Sequence, residues 1–186
     1  MAAEEGASAR GFIIPALAPP PLKLLDRPLD YLLADHFRQR SLCAELRKIV
    51  DTRRAGRGVA DAVAAFLMTA LKRHHDDLED ALFPALRPRV RPEDGMGTIL
   101  AQLIEDHRHT ESMCEDIVDA LAGDATADPV EISQAIAELM LAFADNVQRH
   151  LAVENGIVMV IARKRLAADD LKVISQRMKL RRGIAV

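Results

Sequence analysis

The chain has 186 residues, of which 49% are hydrophobic and 28% charged, enough apolar side chain for one buried core and too much for a disordered polymer. Lysine plus arginine number 25 against 28 acids, a net charge of −3, which excludes the positive field on which nucleic-acid binding rests. No uninterrupted apolar run approaches the ~18 residues a membrane span needs, and residues 1–10 are small and acidic where a leader would be basic and then apolar, so a soluble, cytoplasmic protein is expected.

Residues 1–28 hold five of the nine prolines, Pro15, Pro19, Pro20, Pro21 and Pro28, and are expected as an extended N-terminal arm, with Phe12, Ile13, Ile14 and Leu17 tucking it against the body. From Pro28 onward Leu29, Leu32, Leu33, His36, Phe37, Leu42, Cys43, Leu46, Ile49 and Val50 recur at three- and four-residue steps, an amphipathic helix. Gly56 and Gly58 break it. A second helix then runs from about Val59 through Leu67, Leu71, His75, Leu78 and Leu82 to about Leu86, and residues 87–95 form a proline-rich loop. A third helix covers about Gly97 to Leu121. The fourth is expected to begin near Pro129 with Asp128 as its N-cap, carrying Ile132, Ile136, Leu139, Met140, Phe143, Val147, His150, Leu151 and Glu154.

No strand alternation appears. The expected fold is all-α, an up-down-up-down antiparallel four-helix bundle over residues 29–165, because short connections force neighbouring helices to run in opposite directions. Residues 166–186 are expected as a short C-terminal helix and tail, with Leu171, Ile174 and Met178 spaced for packing on the bundle; self-association through that helix is the other reading. The two cysteines, Cys43 and Cys114, are too few for a disulfide framework and read as reduced thiols.

The polar residues repeat between the two halves. Asp35-His36 followed by Cys43 is matched by Asp106-His107 followed by Cys114, and His75 with Glu79 on the second helix is matched by His150 with Glu154 on the fourth. Residues four apart on a helix differ by about 40° in direction, so each His-x-x-x-Glu pair shares one face. The neighbours on those faces are apolar: Leu71, Leu78 and Leu82 in one, Val147, Val153 and Ile157 in the other. Four imidazoles and two carboxylates thus point toward the bundle centre, a severe cost unless something cationic sits between them. Imidazole with carboxylate suits iron, manganese or zinc, and six ligands exceed one tetrahedral ion but match two ions bridged by the glutamates. The ferritin-type pair, Glu-x-x-His, has the opposite order and a shorter spacing.

On Asp35-His36, His74-His75-Asp76-Asp77-Leu78-Glu79 followed by Leu82-Phe83-Pro84, Asp106-His107, and His150 with Glu154, the chain resembles the hemerythrin-like proteins of the HHE cation-binding type over about residues 29–165. The resemblance implies the four-helix bundle and a non-haem centre of two iron ions, oxo- or hydroxo-bridged. It also implies His36, His75, His107 and His150 as terminal ligands and Glu79 and Glu154 as bridges. The oxygen carriers of that family use a fifth histidine one turn from the third-helix ligand; here Glu111 and Leu103 occupy those places. In this respect the chain is similar to the iron-sensing and iron-sulfur repair branches, and Glu111 is an additional candidate ligand.

Of the remaining residues, His109 lies about 200° from His107 and His74 about 100° from His75, so neither is expected to ligate. Asp35 and Asp106 are candidates to accept a hydrogen bond from a ligand imidazole of a neighbouring helix, with solvent exposure as the alternative. Cys43 and Cys114 read as small inert hydrophobes or as redox-responsive thiols, and Tyr31 falls about 140° off the His36 direction. The sequence offers no nucleophile with its base and no phosphate-binding loop, so no catalytic residue is assigned. The reading that follows is a di-iron protein that binds or senses oxygen, nitric oxide or peroxide, with its arms available to a signalling partner or a second copy. The alternatives are a di-iron oxidoreductase reducing peroxide or nitric oxide, an iron donor for iron-sulfur cluster repair, and a helical interaction module held together by its metal.

Overall fold

Proline and capping residues decide where the helices start. The computed structural model describes residues 14–185, so Phe12 and Ile13 lie outside the described residues. Helix α1 is Pro28–Thr52, with Pro28 in its first turn, where a missing N–H costs nothing. A continuous helical run over residues 57–86 forms α2, α3 is Met96–Ala122, a second continuous run over residues 134–165 forms α4, and α5 is Ala168–Arg181. Three turns widen to π geometry: Phe66–Leu71 and Leu78–Leu82 in α2, and Glu154–Val158 in α4. The described chain is therefore all-α apart from one small ladder, and among the described residues no helix is long and apolar enough to cross a membrane.

That ladder is a departure from expectation. Strand β1 (Arg54–Ala55) pairs antiparallel with β2 (Val130–Glu131), Arg54 opposite Glu131 and Ala55 opposite Val130, and tethers the α1–α2 connection to the α3–α4 connection. Two-residue strands are too short to display an alternation. The start of the fourth helix is also corrected: α4 begins at Gln134, with the Ser133 hydroxyl accepting the Ile136 N–H at 3.3 Å. Asp128 caps a different helix, its carboxylate accepting the Arg57 N–H of α2 at 2.9 Å.

The described part of the N-terminal arm is not extended. It winds into two 3-10 turns, Pro15–Leu17 and Leu22–Asp26, and buries Ile14, Leu17 and Leu25. At the other end α5 docks as its spacing implies, with Ile174 and Met178 fully buried and Leu171 half-buried. Its basic end is also engaged. Arg181 and Arg182 both donate to the carboxylate of Asp77, which is fully buried, and the Arg182 guanidinium lies over Tyr31, 4.7 Å from the ring centroid.

The apolar core divides into two clusters. One gathers Leu42, Leu46, Leu67, Leu71, Ile117, Phe143 and Val147, and the other gathers Leu32, Leu82, Phe83, Leu86, Leu100, Val158, Ile174 and Met178. Between them, at the same level of all four long helices, lies a layer of buried polar side chains: Asp35, His36, His74, His75, Asp77, His107, Thr110, His150 and Glu154.

Candidate metal centre

Each long helix brings its part of this layer on the buried side of an amphipathic surface, so the polar groups meet where water is excluded. The carboxylate of Glu154 stands at the middle, 1% exposed. Its Oε2 lies 3.2 Å from His36 Nε2 and 3.7 Å from His74 Nε2, while its Oε1 lies 3.0 Å from His150 Nε2 and 3.8 Å from His107 Nε2. Two three-residue groups result, His36–His74–Glu154 and His107–His150–Glu154, each compact enough to hold a metal ion and each using one oxygen of the same carboxylate.

The opposite ring nitrogens face oxygen acceptors. His36 Nδ1 donates to Asn155 Oδ1 at 2.9 Å, and the Asn155 amide is oriented by its own donation to the Leu151 carbonyl at 2.7 Å. His107 Nδ1 donates to Glu79 Oε1 at 2.6 Å. His150 Nδ1 lies 3.5 Å from Asp106 Oδ2, and His74 Nδ1 lies 3.9 Å from Asp35 Oδ2. A proton on Nδ1 leaves the Nε2 lone pair for a metal, and an acceptor behind the ring raises its basicity. Asp35 and Asp106 each face a histidine of the next helix, which gives the repeated Asp-His dipeptide its structural meaning.

Of the residues singled out from the sequence, His36, His107, His150 and Glu154 are brought together. His74, set aside on helical phase, joins them. His75 and Glu79 stand beside the groups: the His75 ring stacks on His107 with centroids 4.0 Å apart, and Glu79, a third exposed, meets the Nδ1 edge of His107. Glu111 sits further out, 43% exposed, accepting from His75 Nδ1 at 3.2 Å. His109 is exposed, as its phase implies.

That His74 rather than His75 stands against Glu154 has a geometric origin. Both stand about 50° from the axis of the stripe through Leu71 and Leu78, on opposite sides, and both are buried. The neighbouring helices choose between them, Asp35 of α1 lying behind His74 and Glu111 of α3 behind His75. Glu79 also lies in the π turn Leu78–Leu82, where the extra residue per turn departs from the α-helical step used to place it. By the aspartate behind each ring His74 matches His150, Asp35 facing the one as Asp106 faces the other, whereas aligning the halves on Glu79 and Glu154 matches His75 to His150. For Asn155 the sequence carries no separate signal.

Electrostatics follow the same division. Burial alone would lower the pKa of His74, but the flanking carboxylates of Asp35 and Glu154 outweigh it and raise the value to about 9. Burial opposes ionisation of Glu154, yet His150, His107 and His36 hold its carboxyl well below the usual range. His75 is pushed down to about 3, mainly by burial, and is a neutral imidazole. His36 Nε2, both ring nitrogens of His74 and Glu154 Oε2 are buried without a hydrogen-bond partner. His36 Nε2 and Glu154 Oε2 face each other across 3.2 Å. Imidazole nitrogens and carboxylate oxygens buried without partners in a dry layer favour a cation between them, and imidazole with carboxylate is a donor set that iron, manganese and zinc accept. The residues present therefore fit a metal.

A helical protein whose core is interrupted by two histidine groups sharing one carboxylate is a cation-binding protein in its chemistry. Consistent with this, residues 27–173 match the hemerythrin family, described as the hemerythrin HHE cation binding domain, and the chain belongs to that family. Among curated proteins and among solved structures, none matches the chain.

Proposed function

We propose that this protein holds two iron ions, one in each histidine group with Glu154 shared between them, and that the centre binds or senses oxygen, nitric oxide or peroxide in the cytoplasm. The observation that carries the proposal is the division of one buried carboxylate between two pairs of imidazole Nε2 atoms. An up-down-up-down four-helix bundle is the architecture we assign to the site. Paired residues in opposite chain order support it: Asp30 with Arg163 and Arg47 with Asp145 for α1 and α4, His75 with Glu111 and Glu79 with His107 for α2 and α3.

Iron bound here would supply a redox couple and an open coordination position for a small ligand. The chain's own residues do the rest. Asn155, Glu79, Asp106 and Asp35 orient the four rings, and the two apolar clusters keep bulk water from the layer. A groove of about 550 Å³ between α2 and α3, lined by Leu67, Met68, Leu71, Cys114 and Glu111 among others, lies on the Glu111 side of the layer. A second reading, a peroxide- or nitric-oxide-reducing enzyme or an iron donor in cluster repair, draws support from Glu79 and Glu111, which add negative charge to the solvent side of the centre.

The test is to load the protein anaerobically with ferrous iron, count iron per chain and record the near-ultraviolet and visible spectrum before and after oxygen. Two irons and a band that appears with oxygen and reverses on its removal are expected. Irreversible oxidation, with consumption of peroxide or nitric oxide when an electron donor is supplied, would favour the second reading, and absence of bound iron would reject both.

A further inference from the structure

Three residues beyond each lone histidine of the repeat stands a buried polar side chain: Gln39 after His36, 2% exposed, and Thr110 after His107, 4% exposed. Both lie where the metal layer meets the first apolar cluster, since Leu42, Cys43 and Leu46 follow on α1 and Met113, Cys114 and Ile117 on α3. Thr110 has a partner: its hydroxyl accepts from Asn146 Nδ2 of α4 at 3.1 Å. Gln39 Nε2, by contrast, is buried without a hydrogen-bond partner among the described residues. The repeat explains the difference. Asn146 stands four residues before His150, and the residues four before His75 and His74 in α2 are Leu71 and Ala70, which have no polar side chain to offer.

The orphaned amide leans into the metal layer. Along α1 Gln39 lies about 40° from Asp35 and about 60° from His36, between the two in direction and one turn further on. Long side chains on a helix point back toward its N-terminus, over the residues three and four before them, which here are His36 and Asp35. Neither accepts the amide hydrogen: His36 pairs through Nδ1 with Asn155 and its Nε2 has no hydrogen-bond partner, and Asp35 Oδ1 is taken by Arg38. A donor buried without an acceptor costs stability, a cost that leucine in the same place would avoid.

We infer that Gln39 donates through Nε2 to a small anion held at the His36–His74–Glu154 group. The inference rests on the metal-binding reading above, because a cation in that group is what draws an anion into an otherwise dry layer. A fixed amide donor beside the cation selects ligands that accept a hydrogen bond over those that do not. At the corresponding place beside the other group stands Thr110, already engaged with Asn146, so the two groups are unequal and the anion belongs to the first. Gln39 is a positioning and specificity residue in this arrangement, not a metal ligand.

The test is a titration of the oxidised, iron-loaded protein with azide, followed by its near-ultraviolet and visible spectrum, in the unaltered chain and in Gln39→Leu. Iron per chain should be equal in the two, and azide should bind Gln39→Leu about tenfold more weakly, the scale of a lost hydrogen bond to a charged group. Denaturant unfolding of the metal-free proteins is the second readout: the midpoint of Gln39→Leu should equal or exceed that of the unaltered chain, because an unpaired donor has been removed. A lowered midpoint would make the amide structural and overturn the inference. If Gln39→Leu does not fold, Gln39→Met replaces it, keeping the length of the side chain and removing the donor. Equal azide affinity, or no azide binding by the iron-loaded protein, would overturn the inference and leave the metal reading standing. Fewer irons in Gln39→Leu would make Gln39 a ligand and overturn it as well, whereas absence of iron from the unaltered protein would overturn both readings.

Discussion

The Nε2 atoms of His107 and His150 stand 3.0 Å apart, and His150 Nε2 stands equally close to Glu154 Oε1. A proton on one of these nitrogens points at only one of the other two atoms, whereas a cation between them would accept all three lone pairs. Glu154 is the member common to both groups, so on the proposed two-ion reading its loss should remove both ions together. Glu154→Gln should lower iron from about two per chain to well under one. His36→Ala, which touches only one group, should leave about one. The measurement is iron and protein quantified on the same sample, with circular dichroism confirming helix content. Equal iron loss in the two variants would contradict the shared-carboxylate arrangement.

His74 and His75 offer a direct comparison between neighbours. His74→Ala should weaken metal affinity about tenfold or more, the scale on which supporting and ligating groups act, whereas His75→Ala should change it about twofold. Competition titration against a chelator resolves the two. The reverse order would assign the ligand role to His75 and, with it, to Glu79.

The two thiols are predicted to be inert. Burial pushes the Cys43 pKa up to about 11 and that of Cys114 up to about 12, from 9.0. A shift of this size for Cys43 leaves about a hundredfold less thiolate at pH 8 than in an unfolded chain, and alkylation of the native protein should be slower by at least that factor. Because the folded values are raised, burial of the neutral thiols contributes its full stability below pH 9.0 and loses it as pH rises through about 11 for Cys43. Alkylation at the unfolded rate at pH 8 would disprove the assignment.

Docking of α5 depends on a buried charge. Asp77 is fully buried and pairs with Arg181 and, at 2.6 Å, with Arg182, whose side chain is 6% exposed. Removing one member of such a pair leaves the other uncompensated, so Asp77→Ala should cost about 3–5 kcal/mol of stability. Denaturant unfolding measures this, and a loss under about 1 kcal/mol would place the pair among ordinary surface ion pairs.

Much of the fold is visible in the residues themselves. Pro28 marks the start of α1, the Leu171, Ile174 and Met178 spacing marks α5 as a docked helix, and the four-residue spacing of His150 and Glu154 puts both on one buried face. These features are local, set by backbone sterics and the 3.6-residue turn. The cap of α4 was less legible because Asp128 and Ser133 are both good N-caps, and only the position of Arg57 from another helix decides that Asp128 serves α2.

The metal layer divides along the same line. His36, His107, His150 and Glu154 could be placed at the centre from the sequence alone, since periodicity dictates which face of its own helix a side chain occupies. The approach of His74 rather than His75 to Glu154, the placing of Glu79 at the far edge of His107, and the backing of His36 by Asn155 belong to the tertiary structure. In each case two or more orientations are equally compatible with one helix, and the group that stands opposite on the neighbouring helix selects among them.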